Sequence, residues 1–186
     1  MHVSVAILTG GNSSRFGRSK QLHEIEGRPL YSMCYEKFTP LSDDVFLQGG
    51  FAGADVDVRG DIVSGVGPIG GLYSALMNAR HERVFVLACD MPHLDPRILT
   101  LLLEHGESEL VVPKWRNGYL EPLCSLYSKT QAPILREMMD GGVLKISRLF
   151  TKVERSEFPV IDDWIEEGLI SKDCFLNMNE MPDYRD

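Results

Sequence analysis

Arg15, Arg18 and Lys20 bring three cations into one glycine-containing loop, Thr9-Gly10-Gly11-Asn12-Ser13-Ser14-Arg15-Phe16-Gly17-Arg18-Ser19-Lys20, in a chain of net charge -8. The loop is entered directly from an apolar run, Val3 to Leu8. A buried parallel strand presents a loop to a phosphate in this way, because paired glycines let the backbone turn sharply and show its N–H groups to an anion. The bland alternative is a solvated surface loop with scattered basic residues. The order strand, glycines, Arg, Lys favours phosphate binding. It is not the common P-loop, which ends Gly-Lys-Ser/Thr, whereas Gly17 here is followed by Arg18.

A second feature is Ala88-Cys89-Asp90-Met91-Pro92, which follows the apolar run Val84–Cys89. A carboxylate at the end of a buried strand is held at the sheet edge. It suits magnesium, an ion that takes oxygen donors and bridges to substrate phosphates. The competing role is a helix N-cap, for which Asp95 is already at hand. Gly65-Val66-Gly67-Pro68-Ile69-Gly70-Gly71 contains a formal G-x-G-x-x-G. As a dinucleotide fingerprint it is poor: only Asp61-Ile62-Val63-Ser64 precedes it, and Pro68 removes an N–H from the loop. Close backbone approach to a base or ribose, or a purely structural turn, are the remaining readings. Asn117-Gly118 signals a tight turn, and Glu121-Pro122 interrupts the strand after it. Asn177 and Asn179, spaced for one face of a strand, can donate to or accept from a polar ligand, or belong to an Asn-rich turn.

The elements that must position these groups alternate. Strands are expected at Val3–Leu8, Val45–Gln48 and Val84–Cys89, near Leu110–Pro113 and Glu121–Tyr127, and over Val153–Val160. Helices are expected over Pro29–Phe38, from Pro68 onward, from Asp95 or Pro96 through Leu103, and near Gln131–Met139. This pattern implies a parallel-dominated sheet flanked by helices, with ligands beyond the carboxyl ends of the strands. The chain of 186 residues suits a single domain, 1–186, and its composition (44% hydrophobic, 25% charged) is ordinary for a soluble protein. The acidic balance argues against nucleic acid as a partner. No apolar run reaches membrane-spanning length. A strand starting almost at Met1 predicts no secretory leader and a cytoplasmic protein. Cys34, Cys89, Cys124 and Cys174 lack C-x-x-C spacing and read as buried free thiols. The five histidines show no ligand spacing.

The first loop resembles the signature L-A-G-G-x-S-x-R-M-G-x-x-K-x-L of nucleotidyltransferases that activate phosphorylated acceptors, with Thr9 for Ala and Phe16 for Met. The Gly67–Gly71 stretch resembles G-P-L-A-G, Gly118–Tyr127 resembles G-x-x-E-P-L-x-A-L-Y, and Phe175–Glu180 resembles F-x-N-I-N-T-P-E-D. Together they resemble the molybdenum cofactor guanylyltransferase family. That resemblance implies a three-layer αβα fold of the nucleotide-diphospho-sugar transferase type, Rossmann-like, its mostly parallel mixed sheet carrying one antiparallel strand. It implies nucleotide contacts from Leu8, Thr9, Gly10, Gly11, Ser13, Arg15, Lys20, Asp61, Gly67, Pro68, Gly70 and Asp90. Arg15, Lys20 and Asp90 would be catalytic, with Mg2+ on Asp90. Glu121, Pro122, Asn177 and Asn179 would face the acceptor, with Lys145 or Arg148 adding a cation. A family Asn after the second strand is replaced by Gln48 or a glycine. The implied substrates are GTP and molybdopterin cofactor, with molybdoenzyme chaperones or other cofactor-biosynthesis proteins as further partners. Alternatives are a cytidylyltransferase or another nucleotidyltransferase acting on a different phosphorylated acceptor, a non-catalytic nucleotide-binding protein, and an NAD-dependent oxidoreductase.

Overall fold

In the computed structural model, which describes residues 2–9, 24–25, 27–49 and 55–177, the first apolar run is strand β1 (Ser4–Leu8), buried along its whole length. Burial on both faces is why its sequence is a continuous apolar run rather than an alternating one. A two-stranded hairpin, β2 (Glu24–Ile25) and β3 (Arg28–Pro29), leads into α1 (Leu30–Phe38). Then follow β4 (Val45–Gln48), β5 (Val58–Arg59), α2 (Pro68–Asn78), β6 (Arg83–Ala88), α3 (Arg97–Leu103) and β7 (Leu110–Val111). The chain continues through β8 (Cys124–Ser128), α4 (Ala132–Asp140), β9 (Ser156–Glu157) and α5 (Ile161–Glu166).

Seven strands form one sheet in the order β5-β4-β1-β6-β8-β7-β9. β1 pairs parallel with β4 and β6, β4 with β5, and β7 with β9; β8 runs antiparallel to both β6 and β7. The mixed, mostly parallel sheet with one reversed strand is therefore as expected. Alternation along the strands feeds two cores. Val5, Ile7, Phe85 and Leu87 pack with α1, α3 and α5 on one face. Ala6, Leu8, Val84 and Val86 pack with α2 and α4 on the other. These are the three layers.

Several elements depart from the sequence reading. The strand expected from Glu121 starts only at Cys124, because the Cys124 N–H bonds back to the Glu121 carbonyl in a turn and Pro122 has no N–H to pair. Val153–Val160 contracts to Ser156–Glu157, Pro159 limiting the ladder as proline does. Asn177 lies in irregular backbone rather than on a strand. Helix α5 and the 3-10 turn Ile146–Thr151 had no expectation; both are too short for a helical period to stand out.

At the amino ends of β1, β4 and β6 a buried carboxylate gathers the chain. Asp44, whose side chain is 0% exposed, accepts from Ser4 Oγ, from Arg59 Nη2 at 2.6 Å and from the Arg80 N–H at 2.8 Å. Burial alone would raise the pKa of Asp44, but the bonds from Arg59, Ser4 and Arg80 hold it below the usual aspartate value. The Arg59 guanidinium also lies 3.9 Å above the Phe46 ring.

Candidate functional site

The opposite, carboxyl edge is where the sheet changes direction: from β1 the chain passes to β4 on one side and later to β6 on the other. Ligands bind at such a switch point in open α/β sheets. Leu8 is in register with Gln48 on one neighbour and Ala88 on the other. Thr9 continues this edge. Its N–H and its hydroxyl both donate to the Gln48 carbonyl, at 2.9 and 3.1 Å. The Cys89 N–H reaches the Leu8 carbonyl at 3.2 Å. The exits of β1, β4 and β6 are thereby laced together.

Asp90 follows directly, half-buried. Asp95, further along the same loop, caps α3: its Oδ1 accepts from the Arg97 N–H at 2.9 Å. The capping role considered for Asp90 is thus filled by another residue. The loop is fastened from α1, where Lys37 Nζ donates to the carbonyls of Pro92 at 2.5 Å and Leu94 at 3.1 Å. Beside it, Cys34 Sγ donates to the Cys89 carbonyl at 3.5 Å. Burial pushes the Cys34 thiol up to about 11, Lys37 pulling it down and Asp90 adding to the rise. Lys37 had no sequence signal, since a lysine near a helix end reads as a solvated charge.

Helix α2 brings its N-terminus to the same edge. A Cβ on Gly71 would lie 3.7 Å from a Leu8 methyl. Gly67 caps the helix at φ 76°, a left-handed conformation that favours glycine, and Pro68 takes the first helical position as expected. Gly67 and Pro68 are exposed, whereas Gly70 is buried. A Cβ on Gly70 would stand 2.7 Å from Val66 Cγ2 and 2.8 Å from the Val63 carbonyl oxygen. That glycine makes room for its own preceding loop. No strand enters the G-x-G-x-x-G directly, β5 ending at Arg59.

Asp61, exposed, accepts from Gln48 Nε2 at 2.9 Å. On the other side of β6, Asn117-Gly118 makes the expected hairpin turn, with Lys114 bridged to Leu120. Half-buried Glu121 accepts from the Trp115 indole N–H at 2.8 Å, and the Pro122 carbonyl accepts from Tyr127 Oη at 2.7 Å. The Trp115 and Phe175 rings meet edge to face with centroids 5.8 Å apart, so the segment carrying Asn177 sits against this corner. Helix α4, entered from the amino end of the sheet after reversed β8, returns the chain; exposed Lys145 and Arg148 follow its carboxyl end. Gly10, Gly11, Ser13, Arg15, Lys20 and Asn179 lie outside the described residues.

Residues 5–156 match the family of the MobA-like NTP transferase domain. The chain belongs to this family. Among relatives of this MobA-like domain is the molybdenum cofactor guanylyltransferase of Ectopseudomonas mendocina, 33% identical over 157 residues, 81% of this chain and 78% of that protein. A second, from Desulfosudis oleivorans and of the same name, is 27% identical over 158 residues, again 81% and 78%. The fold is shared with the molybdopterin-guanine dinucleotide biosynthesis protein A of Archaeoglobus fulgidus, at a TM-score of 0.81 and 24% identity over 97% of this chain and 94% of that one. It is shared more distantly with a cytidylyltransferase of Thermus thermophilus, TM-score 0.63, 15% identity, 87% and 88% covered. The MobA-like chain is a nucleotidyltransferase by family. All four cysteines are buried and none is in a disulfide, as expected. No helix among the described residues is long and apolar enough to cross a membrane.

Proposed function

We propose that the chain acts as a single nucleotidyltransferase domain that transfers GMP from GTP to the terminal phosphate of the molybdopterin cofactor, releasing pyrophosphate. The reading is carried by the convergence of Leu8, Thr9, Asp61, Asp90 and Glu121 on one carboxyl edge, in a chain related to a molybdenum cofactor guanylyltransferase. An oxygen of the acceptor phosphate attacks the α-phosphorus of GTP. The new P–O bond forms as the bond to the β-phosphate breaks, and the electron pair leaves on pyrophosphate. The nucleophile is already ionised, so no general base is needed. Catalysis then rests on positioning and charge neutralisation.

Leu8 and Thr9 would line the nucleotide floor, and Gly67 and Pro68 would let the backbone approach it. Gly10, Gly11 and Ser13 would turn N–H groups to the phosphates. Arg15 and Lys20 would neutralise the charge that grows on the leaving pyrophosphate. Glu121, Pro122, Asn177 and Asn179 would bound the acceptor, with Lys145 or Arg148 on its phosphate.

The donor set fits magnesium. Asp90 offers hard carboxylate oxygens at a strand end, and the described residues hold no group of three or more His, Cys, Asp and Glu that could hold a metal. One carboxylate suits an ion that keeps waters and takes phosphate oxygens, as Mg2+ does, rather than one held in an all-protein cage. Bound there, Mg2+ would draw charge from the α-phosphate. A cytoplasmic setting and delivery of the product to molybdoenzyme chaperones or other cofactor-biosynthesis proteins complete the proposal. The test is pyrophosphate release with magnesium and molybdopterin cofactor, comparing GTP, CTP, ATP and UTP. Release with GTP alone is expected; release with CTP alone would keep the chemistry and overturn the named product.

A further inference from the structure

Among the described residues Tyr119 is the most exposed large apolar side chain, at 65%. It stands at the tip of the hairpin between β7 and β8, and the backbone of that tip is firmly held. The Gly118 N–H donates to the Trp115 carbonyl at 2.7 Å, the Trp115 N–H to the Tyr119 carbonyl at 2.7 Å, and the Tyr119 N–H to Asn117 Oδ1 at 2.9 Å. Arg116 ties the turn to α5. Its N–H donates to Asp162 Oδ2 at 2.7 Å, and its guanidinium to Glu166 Oε1 at 2.7 Å and Asp163 Oδ1 at 2.8 Å. None of these bonds uses the tyrosine ring, and Asn117-Gly118 by itself supplies the turn chemistry. A tyrosine on a fixed backbone offers a large flat contact and loses little conformational freedom when a ligand covers it.

The direction of the ring follows from strand alternation. Leu120, bridged to Lys114, packs into the core under α2 and α4, whereas Trp115 packs on the face of α1, α3 and α5. Neighbours along an extended chain point to opposite faces, so Tyr119 and Glu121 flank Leu120 on the Trp115 side. The indole bond from Trp115 to Glu121 shows the same side. We propose that Tyr119 is a specificity-determining residue that stacks its ring on the flat pterin heterocycle of the acceptor, beside Glu121. The inference rests on the proposed transfer to the molybdopterin cofactor. Strand order gives the ring to the acceptor rather than to the guanine. Leu8, Thr9 and Asp61, proposed for the nucleotide, sit at the ends of β1 and β5, while the hairpin joins β7 and β8 on the far side of β6. Asp90 follows β6, so the two substrates meet over the strand between them. Polar groups at a heterocycle's edge leave its faces uncovered, and an exposed aromatic ring covers one of them without a charge to desolvate.

The experiment measures pyrophosphate release by the full chain with GTP, magnesium and the molybdopterin cofactor, for wild type, Tyr119→Phe, Tyr119→Leu and Tyr119→Ala. Neopterin, a pterin without the acceptor's phosphate, is titrated as a competing ligand. Tyr119→Ala should raise the acceptor KM and the neopterin inhibition constant together by about fivefold to tenfold, the low end of what stacking a base on an aromatic side chain contributes. Tyr119→Phe should keep both within about twofold, because the ring remains. Tyr119→Leu, apolar but without a ring, should behave like Ala. The GTP KM should not move in any variant. An unchanged acceptor KM in Tyr119→Ala overturns the inference, as does a Leu variant equal to wild type, which would leave only general apolar contact. A rise in the GTP KM instead would give Tyr119 to the nucleotide and overturn it too. In each of these cases wild-type turnover stands, whereas wild type releasing no pyrophosphate with the molybdopterin cofactor overturns the proposed reaction itself.

Discussion

Lys37→Met removes the clamp on the Asp90 loop while keeping a side chain of similar length. Lys37 Nζ serves two carbonyls, Pro92 at 2.5 Å and Leu94 at 3.1 Å, both on buried residues. Each bond to a charged donor contributes about 1.5–3 kcal/mol. Water can reach half-buried Lys37 and take over part of that role, so the expected net loss is about 2–3 kcal/mol by the same scale. For a chain of this size each kcal/mol moves the Tm by roughly 2–4 °C, which predicts a fall of about 4–12 °C. The strain should concentrate in the loop, since Met91 and Leu94 remain anchored in the core while the clamp on the Pro92 and Leu94 carbonyls is gone.

Function should suffer more than folding. A misplacement of about 1 Å at a reacting centre costs on the order of a hundredfold. Pyrophosphate release by Lys37→Met, measured well below its Tm, should therefore lose between about tenfold and a hundredfold in kcat. The KM for the triphosphate should change little. Lys37→Arg keeps donors on a charged side chain and should recover part of both losses. A Met variant as stable and active as wild type would refute the clamp. A variant that loses stability but keeps kcat would refute its link to Asp90.

Asp44→Asn should cost about 1.5–3 kcal/mol in urea unfolding, because Arg59 loses its buried carboxylate partner while keeping Asp57. Asp44 titrates below its ordinary value of about 3.9, so its contribution is complete above that pH and fades as pH falls through the lower folded value. The acid limb of stability should accordingly flatten in the Asn variant; an unchanged limb would remove Asp44 as its source. Gly70→Ala should lose about 1–3 kcal/mol, since its Cβ meets a backbone oxygen at 2.8 Å. Gly71→Ala, with only ordinary contacts near 3.7 Å, should be neutral or gain up to about 1 kcal/mol from helix propensity. Equal unfolding midpoints for the two would contradict the packing argument. Trp115→Phe deletes the N–H bonded to Glu121 but keeps a ring beside Phe175. It should raise the acceptor KM several-fold and leave the triphosphate KM alone; a rise in the triphosphate KM would place Glu121 on the wrong substrate.

What could be read from the residues alone was whatever is written in short-range pattern. Central strands buried on both faces must be apolar throughout, so β1, β4 and β6 are legible, and the carboxyl ends of β1 and β6 mark the loop after Leu8 and Asp90. Pro68 marked the start of α2 for a similarly local reason. The couplings between those points were not legible, because each joins residues far apart in sequence through bonds that no composition rule anticipates. Lys37 looks like any helix lysine until the loop 90–94 is folded beside it. Gln48 stands where the resemblance expects an Asn; in the fold its Nε2 donates to Asp61, its direction imposed by the Gly60 carbonyl. Gly70 carried a binding motif by pattern, yet its missing Cβ is explained by Val66 and Val63 in the same segment. The groups that do chemistry are announced by the strands that carry them, while the groups that aim them are visible only once the chain has closed on itself.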